Sequence, residues 1–216
     1  SYASNATLGG IALTHAHIGH YSGLLFLGKE SLGAKNISVY SMPKMSLFLE
    51  NNGPWSQLIQ EENIKINKLR NDSIQTLSKY ISIKPILVPH RDEFSETVGY
   101  LIKGELKSAL FLPDIDKWEK WDKKIEDFIE NVDFAFIDGT FYNGNEIPHR
   151  NIDEIPHPFV VETLERFKKL KKRDKKKVYF IHLNHTNPLL KPNNRITKEI
   201  IKRGYNIART GMKFEL

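Results

Sequence analysis

Histidine is the side chain best suited to chemistry near neutral pH. Three of the eight in this chain stand together in Thr14-His15-Ala16-His17-Ile18-Gly19-His20-Tyr21. Alternate positions of an extended segment point to one side, so His15 and His17 are spaced to grip one ion, and His20 then turns back towards it. A lone histidine is usually a satisfied core or surface group. Three at this spacing, directly after the apolar Ile11–Leu13, read instead as a metal-binding loop at a strand end. Other possible ligands follow apolar runs in the same way: His90, Asp114, Asp138 and His182. In layered α/β proteins sites form beyond strand ends, so such scattered positions can converge.

The elements that would carry them follow from periodicity and turn residues. Strands are expected at Ile11–Thr14, Ile37–Tyr40, Tyr80–Val88, Phe134–Ile137, Val178–Ile181 and near Ile207. Ile64–Leu69 and Ser73–Leu77 are expected to pair with each other, and Thr97–Lys103 and Ser108–Leu112 to form a hairpin about Gly104-Glu105. Helices are expected at Tyr21–Leu32, at Pro43–Glu50 with proline in its first turn, and at Ile115–Asn131, Phe159–Leu170 and Thr197–Arg203. Trp55, Trp118 and Trp121 read as core. There is no internal repeat and no interdomain linker.

With 216 residues the chain is long enough to bury a full core as one domain, residues 7–216, without metal or disulfide staples. The histidine loop therefore reads as catalytic and not structural. Cysteine is absent, which excludes disulfides, thiolate zinc sites and a cysteine nucleophile. Net charge is +6, but much of the excess sits in the single run Lys168–Lys177, which reads as a solvated helix end and loop. That run precedes the strand ending at His182, roughly 15 Å from it at about 3.3 Å per residue, which argues against a nucleic acid partner. No apolar stretch reaches the length of a membrane span, so a soluble protein is expected, with the cytoplasm as default compartment. Ser4-Asn5-Ala6 has the look of a cleaved-tag scar, so residues 1–6 are set aside. No GxSxG elbow or glycine-rich phosphate loop supports a serine hydrolase, kinase or dinucleotide enzyme.

The order HxHxxH, isolated His, Asp and late His, all at strand ends, resembles the metallo-β-lactamase superfamily. THAHIGHYSGL, VPHRDEFSETVGY, FLPDIDKW, DGTFY and FIHLNHTNP are similar to its branch formed by pyrroloquinoline quinone biosynthesis protein B and close relatives. The likeness runs from about Ile11 to about Leu190. It implies an αββα sandwich of two sheets between helices, with part of that branch's N-terminal β segment missing here. It also implies a first metal site of His15, His17 and His90, a bridging Asp114, and a second site of His20 and His182. The superfamily's usual HxHxDH has a ligating Asp where this chain has Gly19, so the second site loses a carboxylate. The branch it resembles shares that glycine.

Zinc suits such donors, and iron or manganese would also be held, as one or two ions. In a hydrolase acting on an ester, amide or phosphoester, the ion acidifies a water, and Asp114 or Asp92 accepts a proton. In an Fe(II) oxygenase, which the quinone-pathway likeness implies, a tyrosine of a precursor peptide is hydroxylated; His90-Arg91-Asp92 carries the HxD fragment of such sites. A metal-free binding module is the third reading. The substrate is then a small molecule or peptide. Asn184, His185 and Asn187 either line the substrate wall or second ligand layer or build the turn before Pro188, and Arg91 either orients a ligand or joins a solvated ion-pair cluster. Asp138 either faces the metal or caps a turn. His149 and His157, in a proline-rich loop, read as surface.

Overall fold

The computed structural model describes residues 7–149 and 151–216; the Ser4-Asn5-Ala6 stretch lies outside the described residues. Contacts divide the chain into two compact units, residues 7–73 with 92–98 and residues 74–91 with 99–216.

The first unit is built on three parallel strands, β1 (Gly10–Ala12), β2 (Ile37–Ser41) and β3 (Ile64–Lys68), with β2 in the centre. Beyond β1 the chain stays extended, since Leu13 N donates to Tyr40 O at 2.9 Å and Thr14 O accepts from Val98 N at 3.0 Å. Those bonds deliver His15. The expected helix from Tyr21 to Leu32 is replaced by α1 (Ile18–Tyr21) and a 3₁₀ segment, Ser22–Leu27. The leucines explain the change: Leu24 and Leu27 are buried, whereas Leu25 and Leu32 are exposed, so the apolar spacing is the three residues of a 3₁₀ turn. α2 (Pro43–Asn51) starts on its proline as expected, and α3 (Trp55–Gln60) adds a helix that the sequence reading left unassigned. These helices make the crossover that a parallel β2–β3 pair requires, so β3 pairs with β2 and not with Ser73–Leu77. Leu13, Val39, Met45, Leu49, Leu58 and Ile64 close the core.

The second unit holds a seven-stranded sheet of β4 (Gln75–Thr76), β5 (Ser82–Leu87), β6 (Val98–Lys103), β7 (Ser108–Leu112), β8 (Phe134–Asp138), β9 (Val178–Ile181) and β10 (Asn206–Ile207), in the order β10-β9-β8-β7-β6-β5-β4. β4 pairs antiparallel with β5, and β6 with β7 in the expected hairpin. β7, β8, β9 and β10 run parallel, so the residues that follow β7, β8 and β9 emerge at one edge. Asp138, the last residue of β8, Asp114 just past β7 and His182 just past β9 lie at that edge. Helices α4 (Ile125–Glu130), α5 (Val160–Arg166), α6 (Lys172–Lys175) and α7 (Arg195–Lys202) complete the unit. Their apolar faces, including Ile125, Ile129, Val160, Leu164 and Ile200, pack with Leu110, Ile137 and Phe180 of the strands, each buried side chain contributing about 1.5–3 kcal/mol.

The single helix expected over Ile115–Asn131 is broken into a 3₁₀ turn, Trp118–Lys120, and α4. Polar bonds to the neighbouring chain win there. Asp116 N donates to Pro89 O at 2.7 Å, and an extended Trp121 sends its indole N–H to Leu87 O at 3.0 Å, while Trp118 donates to Thr163 Oγ1 at 2.9 Å. Among the described residues no helix is long and apolar enough to cross a membrane.

Ahead of β9, Asp174 is fully buried and paired with Lys177 at 3.0 Å. Burial alone would raise its carboxyl, but Lys177 and Arg173 outweigh it and hold the carboxyl below its ordinary range. A depressed folded-state pKa contributes stability that is present above the unfolded value and lost as pH falls through the folded one. Asp174→Asn is therefore expected to lower unfolding free energy at pH 7 by about 3 kcal/mol, with the deficit shrinking towards pH 2. Urea melts of both proteins across that range check it; a deficit that does not change with pH would contradict the assignment.

Candidate metal centre

In the first unit the three imidazoles of the histidine loop do come together. Ring centroids lie 4.4 Å apart for His15 and His17, and 4.3 Å apart for His15 and His20. His17 is extended where it leads into α1, and His20 N donates to His17 O at 2.8 Å, the turn that brings the third ring back. Residues 92–98 brace the loop, with Ser95 Oγ accepting from Ala16 N at 2.8 Å. Glu93 Oε2 sits 3.0 Å from His17 Nε2. An ionised carboxylate only accepts, so that nitrogen carries the proton and a neutral His17 offers Nδ1 as its lone pair. Asp92 is exposed and accepts from Thr97 Oγ1 at 2.8 Å; partial desolvation raises its carboxyl, opposed by the Thr97 bond. A Cβ placed on Gly19 would meet nothing within 4 Å, so crowding does not explain the missing carboxylate.

In the second unit Asp114, 2 % exposed, is the centre. Its Oδ1 lies 3.7 Å from His90 Nε2 and 3.3 Å from His157 Nδ1, and its Oδ2 lies 3.4 Å from His182 Nε2. A tetrahedral ion with bonds of about 2.0–2.2 Å holds neighbouring donors roughly 3.3–3.6 Å apart, so these spacings and this nitrogen-oxygen set fit zinc-like coordination. The ligand atoms of His90, Asp114 and His157 lie within 4.8 Å of one another, as do those of Asp138, His157 and His182.

His157 corrects the surface reading given to it above: its side chain is only 13 % exposed. The loop holding it has a small core of its own, Phe141, Ile155 and Phe159, and Glu146 accepts from the backbone N–H groups of Tyr142, Asn143 and Gly144. Gly144, at φ +86°, supplies a left-handed turn that other residues rarely adopt. The signal for this was present in Ile155-Pro156-His157-Pro158-Phe159, where apolar residues flank the histidine closely. His149, by contrast, is exposed. Burial lowers the His157 pKa, but the Asp138 carboxylate, through charge and a 2.8 Å hydrogen bond, and Asp114 together carry it above its ordinary value.

Of the two roles expected for Asp138, the turn is the one seen. Asp138 Oδ1 holds the turn by accepting from Thr140 N at 2.8 Å and Thr140 Oγ1 at 2.7 Å. Having given its only proton to Asp138, the Thr140 hydroxyl accepts from His182 Nδ1 at 2.7 Å. His182 is thereby oriented with Nε2 towards Asp114 Oδ2, 3.4 Å away. Its backbone is left-handed, φ +59°, which histidine tolerates at a cost of about 1 kcal/mol. Gly139 lets β8 and β9 close up at this point, since a Cβ there would meet Phe180 Cβ at 3.0 Å and Ile181 O at 3.1 Å.

Asn187 is buried and donates to Gly139 O and Thr140 O, and Asn184 N donates to Thr140 O, so both bolt the His182 loop to the Asp138 turn. His185 is exposed. Arg91 is exposed too and lines a cavity of about 500 Å³ together with Thr140, Phe141, Asn151, Glu154 and His157.

Two substitutions test these supporting bonds. Thr140→Val is expected to weaken zinc binding about tenfold or more, read by competition with a chromogenic chelator. Glu93→Ala is expected to turn His17 of the metal-free protein from a single Nε2–H tautomer into a mixture, read from imidazole ¹⁵N shifts; an unchanged spectrum would count against the Glu93 role.

A family profile described as the Beta-lactamase superfamily domain matches residues 2–183. Coenzyme PQQ synthesis protein B of Acinetobacter baumannii (strain ACICU) is 26 % identical over 172 residues, 75 % of this chain and 55 % of that protein. The protein of the same name from Methylobacillus flagellatus is 24 % identical over 94 % of this chain and 72 % of its own length. The solved structure of Zn(2+)-bound PqqB from Methylobacterium extorquens superposes with a TM-score of 0.78 at 17 % identity, covering 96 % of this chain and 73 % of that one. Human tRNase Z, short form, superposes at 0.60 with 14 % identity, covering 97 % and 80 %. The mixed α/β fold is that of the metallo-β-lactamases, and the chain belongs to the Beta-lactamase superfamily.

Proposed function

We propose that the chain is a metal-dependent hydrolase similar to coenzyme PQQ synthesis protein B, acting on an ester, amide or phosphoester in a small molecule or short peptide. The observation that carries this is Asp114, a buried carboxylate with His90, His157 and His182 at ligand spacing. The ligands proposed are His15, His17, His90 and Asp114 for one ion, and His20 and His182 for a second. Zinc is the metal proposed. An ion so bound would lower the pKa of a bound water to about 7 and polarise the scissile bond.

The chain's own groups then have distinct tasks. Asp114 takes the proton of the attacking water, and Asp92, raised by partial burial, is the alternative acceptor. His157 Nδ1, 2.8 Å from Asp138 Oδ2, stands at the edge of this cluster. The cavity beside it, about 500 Å³, is of the size that receives small ligands, and Arg91 and Asn151 give its wall donors for a polar group. Asn184, Asn187 and Thr140 keep His182 in place.

A second reading is an Fe(II)-dependent oxidation of a tyrosine in a quinone-cofactor precursor peptide; the relatives are named for coenzyme PQQ synthesis, and the reading takes this chain to serve a pathway of that kind. One experiment separates the two: elemental analysis of protein purified without added metal, aerobically and anaerobically, beside His15→Ala. Zinc or manganese at about one per chain or more, lost in the variant, with turnover of ester, lactone or phosphodiester substrates, is the expected result. Iron, with oxygen uptake on a tyrosine-containing peptide, would replace hydrolysis by oxidation. No metal under either condition would sink both and leave a binding module.

A further inference from the structure

The superfamily pattern gives His157 no part, yet the second unit spends a pinned loop on holding it. Its Nδ1 lies 2.8 Å from Asp138 Oδ2 and 3.3 Å from Asp114 Oδ1, between two carboxylates that are 0 % and 2 % exposed. One proton on that nitrogen offsets one negative charge, whereas two are buried there. Across from it, His182 presents Nε2 3.4 Å from Asp114 Oδ2, with Nδ1 engaged by Thr140. Asp138, His157 and His182 have ligand atoms within 4.8 Å of one another. Asp138, His157 and His182 thus form a triad of donors suited to a divalent ion, Asp114 lies 3.3 and 3.4 Å from two of them, and all four residues belong to the second unit.

The geometry points to His157 as a metal ligand: Nδ1 gives up its proton and joins Asp114, Asp138 and His182 around a second ion. The inference rests on the metal-dependent reading above and adds His157 and Asp138 to the ligands of its second ion. The charge balances, since a divalent cation replaces one proton beside two carboxylates. The small core of Phe141, Ile155 and Phe159 then has a task, which is to hold a ligand on a loop that would otherwise be free to wander.

The metal-free chain is titrated with Zn(II) by calorimetry and with Co(II) by absorption, beside His157→Ala, His157→Gln and, as a control on the other ion, His17→Ala. Wild type is expected to take up two ions. Both His157 variants should keep the tighter event and lose the weaker one or weaken it at least tenfold, in line with losses of about 10–100-fold for groups at a metal site. In wild type the ¹⁵N-coupled Nδ1–H signal of His157 should vanish with the second equivalent, a readout that needs no variant to fold. Two unaltered events in either variant, or an Nδ1–H signal that survives saturation, would overturn the proposal. A wild type that binds one ion also overturns it and leaves the metal-dependent reading standing. No binding at all brings down that reading instead.

Discussion

A carboxylate taken out of water costs several kcal/mol unless positive charge or hydrogen-bond donors replace the solvent, and the second unit does this twice, at Asp114 and Asp138. Much of its architecture is legible as the consequence. β7, β8 and β9 run parallel, so both acids and His182 reach the same edge of the sheet. Gly139 allows the strand ends to approach, and His182 accepts a left-handed backbone to turn its ring inward. Three imidazoles face Asp114, at 3.3, 3.4 and 3.7 Å. Imidazoles and carboxylates gathered in this way are the donors that a metal site requires, since a cation can replace the protons they hold.

The hydrogen bonds one step further out decide which nitrogen each ring can offer. Thr140 has one proton and gives it to Asp138, so it must accept from His182 Nδ1 and leave Nε2 outward. Glu93 does the opposite for His17 in the first unit, occupying Nε2 and leaving Nδ1. Asn187, which contributes no ligand, ties the His182 loop to the Asp138 turn through two backbone carbonyls. Such positions look like ordinary turn residues in a sequence because their partners lie more than forty residues away.

That distinction also marks what the sequence made legible. The parallel strands Val178–Ile181 and Phe134–Asp138 and the β6–β7 hairpin are local patterns of apolar runs and turn residues, and they stand where expected. The helices misjudged at Tyr21–Leu32 and Ile115–Asn131 are stretches where apolar spacing mimics an α-helix, while the backbone is claimed by a 3₁₀ turn in one case and by bonds to residues 87–89 in the other. The partner of β3 depended on a crossover and could not be read from adjacency. His90, Asp114 and His182 announced themselves by following strands, whereas His157 reaches the cluster from a long loop and shows only in its apolar, proline-bracketed neighbours.

The charge of the chain has an explanation that does not involve a polyanion. Lys177 Nζ donates to Ile129 O and Glu130 O, closing the C-terminal carbonyls of α4, and pairs with buried Asp174. Part of the basic run is therefore fastening the entry to β9, and it lies at the end of that strand away from His182, four strand residues or about 13 Å along. The cavity beside His157 has Arg91 as the one lysine or arginine in its described lining, opposed by Glu154. Human tRNase Z shares the fold at 14 % identity, and a shared fold does not carry a shared substrate, because the substrate is chosen by the side chains at the strand ends.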